Sequence, residues 1–89
     1  MDQHARDAAV MSLDSTMAAV DQSTEQQKDL LLEHLQAAKV YLLGRMPEEY
    51  EFSLNTAQLT AGELEDGRLR DTVIRRLNSL PQKSELLSE

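Results

Sequence analysis

The chain has 89 residues, with 9 Lys and Arg against 16 Asp and Glu, a net charge of −7, no cysteine and no tryptophan. That length holds one domain, and the absence of cysteine excludes disulfides and thiol-based zinc or redox motifs. The acidic balance, with only Tyr41, Tyr50 and Phe52 as aromatics, argues against nucleic acid as a partner, because binding phosphates needs a positive surface.

Leu, Ile, Val and Phe make up 21 of the 89 residues, above the roughly 20% below which highly charged chains stay unfolded. A small core is therefore expected. No stretch reaches the roughly 18 apolar residues of a membrane span, residues 1–29 lack the apolar run of a secretion signal, and no lipidation motif occurs. The expectation is a cytoplasmic protein away from membranes. β-branched residues are scarce while Leu, Ala, Glu, Gln and Arg dominate, which favours helix over strand.

The first predicted helix covers about 5–20, where Ala5, Ala9, Leu13, Met17 and Val20 recur at helical spacing beside Val10. This stripe is thin and rich in alanine, so it needs partners. A polar break follows, and Ser23 with Gln26, or Thr24 with Gln27, fits the spacing of a capping box. The second helix covers 25–43. Leu30, Leu31, His34, Leu35, Ala38, Tyr41 and Leu42 fall within one arc, and Leu32 and Leu43 widen it past half the circumference. A helix that apolar is expected at the centre, enclosed by two neighbours or a second chain. Gly44 is the expected left-handed residue after it, with Pro47 close behind.

Pro47 at the first helical position, followed by Glu48 and Glu49, predicts the start of a third helix. Tyr50, Leu54, Ala57 and Ala61 form one stripe, while Phe52 and Leu59 lie opposite and form an exposed patch unless they too are packed. The alternation of residues 50–54 leaves a strand as the other reading of that stretch. Thr60 and Glu63 have capping-box spacing, and a break is expected near Gly67. The fourth helix covers about 67–79, with Leu69, Val73, Leu77 and Leu80 on one face and Pro81 ending it. Residues 82–89 read as a flexible tail, leaving 1–81 as a single helical domain.

Charge is distributed in blocks. Residues 47–66 carry −6 with no Lys or Arg, and residues 67–80 carry +3. The simplest expectation is that the fourth helix lies antiparallel to the third and its arginines neutralise the acids. Left unneutralised, Glu48, Glu49 and Glu51 would attract a basic partner, and Arg68, Arg75 and Arg76 an acidic one.

Little here resembles catalytic machinery. Two histidines and no cysteine make a poor metal set, and Glu33-His34 lacks the spacing of a zinc-binding helix. No cofactor is expected. His34 sits between Leu30 and Ala38 in the apolar arc, as a packed histidine or as a switch near neutral pH. His34 on a helix with Gly44 following resembles the histidine phosphotransfer domains, four-helix bundles whose histidine relays a phosphoryl group. The resemblance implies that role for His34, although Ala37 and Ala38 stand where that family has Lys and Gly. Asp14-Ser15-Thr16-Met17 is similar to the Asp-Ser-Leu motif of acyl carrier proteins. In that family the serine opens a second helix, whereas Ser15 falls inside the first one here.

The sequence thus predicts a small all-α, up-and-down bundle of three or four helices with the 25–43 helix central. The function it favours is a non-enzymatic protein-interaction module, an adaptor or regulatory subunit, with a protein partner or a second copy of itself. An acidic inhibitor or nucleic-acid mimic that blocks a basic partner is the alternative, and phosphotransfer through His34 a further one. The candidate contact residues are Phe52, Leu59, Glu48, Glu49, Glu51, Arg68, Arg75 and Arg76.

Overall fold

The computed structural model describes residues 1–87. It contains five helices: α1 (Gln3–Asp21), α2 (Lys28–Leu43), α3 (Pro47–Ala61), α4 (Gly67–Asn78) and the single-turn α5 (Lys83–Leu87). α1 packs beside α2, α2 beside α3 and α3 beside α4, and α4 closes the ring against α1. This is the all-α, up-and-down bundle that the sequence predicts. Residues 50–54 lie within α3, so the strand reading fails. Their alternation is overridden by the longer helical stripe and the start signal at Pro47.

The core follows from helical spacing. Ala9, Leu13 and Val20 of α1 meet Leu31, Leu35, Ala38 and Leu42 of α2, Tyr50, Ala57 and Ala61 of α3, and Val73 and Leu77 of α4 in one cluster. Each enclosed Leu or Val contributes about 1.5–3 kcal/mol relative to exposure. The inner face of α3 is otherwise small and polar, with Ser53 and Thr60 buried; the Thr60 hydroxyl donates to the Thr56 carbonyl at 3.0 Å. Arg6 and Thr16 are also buried on α1, and the Thr16 hydroxyl donates to the Ser12 carbonyl at 2.8 Å.

The helix ends differ from expectation in four places. No capping box opens α2. Instead, the Ser23 hydroxyl donates to the Val20 carbonyl at 2.6 Å and so finishes α1, and α2 starts only at Lys28. Thr60 and Glu63 form no box either, because α3 runs on to Ala61 and Asp66 caps α4 by accepting from the Arg68 and Leu69 amides. After α2 the left-handed residue is Arg45, with φ 57°, not Gly44. The Met46 amide donates to the Tyr41 carbonyl and the Arg45 amide to that of Leu42, which is the paired C-terminal bonding that a left-handed residue permits.

The fourth difference concerns the segment read as a flexible tail. Residues 83–87 form α5, which packs against α3 and buries Leu86. The Tyr50 hydroxyl donates to the Pro81 carbonyl at 2.9 Å and anchors the approach to α5. Burial, with a further contribution from Glu85, pushes the Tyr50 phenol well above its ordinary range.

α2 touches two neighbours, α1 and α3. Its enclosure is narrower than its apolar sector, however. Leu31, Leu35, Ala38 and Leu42 are sealed, while Leu30, Val40 and Leu43 are about half exposed at 45–52%.

Candidate functional site

The turn at Arg45 sets α2 and α3 side by side, and a groove of about 370 Å³ runs between them on the outer surface. From α2 it is lined by Glu33, His34, Ala37 and Tyr41, and from α3 by Glu48, Glu49, Phe52 and Ser53. The α2 residues recur at intervals of one, three and four, so they form one face of that helix. His34 is half-buried in the groove wall rather than enclosed in the core as its arc suggested. The apolar arc is wider than the bundle can cover, and His34 lies on the uncovered flank that also carries Ala37 and Tyr41.

Phe52 is 71% exposed and Leu59, two turns later, 74% exposed. Of the two readings left open for this pair, packed or exposed, the exposed one holds. The inner face of α3 is already filled by Tyr50, Ala57 and Ala61, which leaves Phe52 and Leu59 on the opposite face largely exposed. Leu59 borders a second hollow of about 440 Å³ with Asn55, Gln58 and Ile74, between α3 and α4. Phe52 and Leu59 thus form a ridge between two shallow depressions.

The charges are arranged differently from the sequence expectation. Among the described residues, no ion pair joins an α3 carboxylate to an α4 arginine. Arg76 donates to the Ser15 hydroxyl of α1 at 3.3 Å, and Arg70 donates to the Leu64 carbonyl and lies 3.9 Å from Asp71 on its own helix. Arg68 and Arg75 are exposed, seven residues apart on α4. The contact between α3 and α4 is made instead by neutral groups, with the Gln58 amide donating to Asn78 at 2.9 Å. Glu48 has a 4.0 Å approach from Lys83, a surface pair worth about 0–1 kcal/mol. The groove keeps the acidic rim of Glu33, Glu48 and Glu49.

The structure therefore brings Phe52, Glu48, Glu49 and His34 together and sets Leu59 on the adjoining ridge. Glu51 lies on the other flank of α3, in a polar cleft that includes Lys83 and Gln82. Arg68, Arg75 and Arg76 belong to α4 and do not line the groove. Sequence reasoning missed Ala37 and Glu33 as groove residues, although the spacing of Glu33, His34, Ala37 and Tyr41 carries that signal. Among the described residues, no three or more His, Cys, Asp or Glu are grouped to hold a metal ion, and none of the described helices is long and apolar enough to cross a membrane.

No protein-family model matches the chain, and no similar protein was found among curated sequences or solved structures.

Proposed function

We propose that the chain is a non-enzymatic protein-interaction module, an adaptor or regulatory subunit, whose contact surface is the α2–α3 groove and the Phe52–Leu59 ridge. The observation that carries this reading is Phe52, a large aromatic ring 71% exposed beside a groove that also presents Ala37 and Tyr41. Aromatic side chains next to a hollow are the anchors that dominate protein interfaces. In a protein with only three aromatic residues, spending one on the surface yields no folding stability from burial. The acid-rimmed setting of His34 disfavours the phosphotransfer alternative, because a phosphoryl group would sit among carboxylates with no lysine to steady it.

The test is capture on the immobilised protein, comparing wild type with Phe52→Ser and with Arg68→Gln as a remote control. Partners held by wild type and the control but lost by Phe52→Ser support the reading. Capture that is absent, or indifferent to Phe52, overturns it.

A further inference from the structure

We infer that the α2–α3 groove receives a cationic amphipathic helix of a partner protein, with its apolar stripe against Phe52 and Tyr41 and its lysines or arginines over Glu33, Glu48 and Glu49. The inference rests on the interaction-module reading and adds the chemistry of the occupant. Three glutamates and no Lys or Arg line the groove, no α4 arginine is ion-paired to the acids of α3 among the described residues, and Lys83 reaches Glu48 only at 4.0 Å on the surface. A positive partner is therefore the complementary one.

Geometry selects a helix over an extended peptide. Both walls are helices whose backbone groups are already bonded along their own axes, so an extended segment finds no edge to pair with, whereas a helix satisfies its own backbone. Glu33 to Tyr41 spans nine residues of α2, about 12 Å of rise, which matches two turns of a docked helix.

Charge also disfavours the other occupants. A two-fold dimer through this face places the same patch opposite itself, so the glutamate rim would face another glutamate rim. An anionic lipid surface or a phosphate ester is repelled by the same carboxylates.

The test uses the whole protein and a synthetic helical peptide of about 18 residues, long enough to form a helix on docking, with Leu on one face and Lys on the other. Controls are a shuffled peptide of equal composition and a version with Glu in place of Lys. Binding is followed by amide shift perturbation and calorimetry, and helicity of each variant by circular dichroism. The expected result is shifts at His34, Ala37, Tyr41 and Phe52, and an affinity that falls about ten-fold or more in Phe52→Ser and in Glu48→Gln/Glu49→Gln. Affinity should also fall as salt rises from about 0.05 to about 0.5 M.

Equal binding of the shuffled peptide overturns the inference in favour of a diffuse acidic attraction. Equal binding of the Glu peptide overturns the charge argument. Absence of binding at about 1 mM overturns the cationic helix, while Phe52-dependent capture of another partner would leave the interaction module standing. Sedimentation as a dimer that Phe52→Ser dissolves assigns the groove to a second copy and also overturns the inference.

Discussion

The carboxylate of Glu25 accepts the Asp66 amide at 2.8 Å across a separation of 41 residues, and its other oxygen accepts the Glu65 amide at the same distance. Asp66 in turn accepts from the Arg68 and Leu69 amides. Two acids thus satisfy four backbone donors at the start of α4, where the helix dipole favours negative charge. Glu25→Ala is expected to lose about 2 kcal/mol, because hydrogen bonds to a charged group contribute more than neutral ones. Urea titration gives the loss, and amide exchange at residues 65 and 66 should accelerate. Unchanged protection at those two amides would show that the clamp is absent in solution.

Tyr50 provides a pH prediction. Its phenol is pushed up first by burial and then by Glu85, so the folded state holds this proton more tightly than the unfolded state does. Stability from this group is complete below the unfolded pKa of about 10 and is lost as pH rises through the higher folded value. Tyr50→Phe should cost about 1 kcal/mol at neutral pH through loss of the bond to Pro81, and its stability should fall less steeply between pH about 9.5 and about 11.5. Parallel alkaline limbs in wild type and variant would contradict the assignment.

Arg45 holds a left-handed backbone at φ 57°, a conformation costing a side-chain-bearing residue about 1 kcal/mol relative to glycine. Arg45→Gly is therefore expected to stabilise the protein by about 0.5–1 kcal/mol and raise the melting temperature by several degrees, roughly 2–8 °C for a domain of this size. A lower melting temperature would mean that the arginine side chain contributes more than the strain costs.

Leu35 is fully enclosed at the middle of α2. Leu35→Asp places an uncompensated charge in the core and should abolish cooperative unfolding, a loss above about 4 kcal/mol. A sigmoidal melt near that of wild type would remove α2 from the core.

Phe52→Glu and Leu59→Glu make the converse prediction. Both side chains are more than 70% exposed, so each variant should melt within about 0.5 kcal/mol of wild type. Destabilisation of 2 kcal/mol or more would show that the ridge is packed.

The first four helices were legible because each carried its own signal, such as Leu31, Leu35, Ala38 and Leu42 at helical spacing, Pro47 as a start, and Gly67 as a break, whereas the single turn of α5 is too short to show a stripe. For Phe52 and Leu59 the sequence left two readings open, packing on both sides of the helix or an exposed patch, and only their exposure in the fold decides for the patch. Side-chain partners were not legible. Glu25 is one of many acids in the sequence, and only the approach of two loops gives it the Glu65 and Asp66 amides. The arginines of α4 are turned by their register toward α1, the Leu64 carbonyl and the outer surface, which no charge count along the chain can show. Arg45 took the left-handed position because the turn into Pro47 needs that residue after the cap, one step beyond Gly44.

The two tyrosines also supply an intrinsic optical readout. With no tryptophan in the chain, ultraviolet emission arises from Tyr41 at the groove and Tyr50 in the interior. A dissolved quencher reaches the first ring and is shut out from the second, so occupancy of the surface and loosening of the interior can be followed separately in one unlabelled sample.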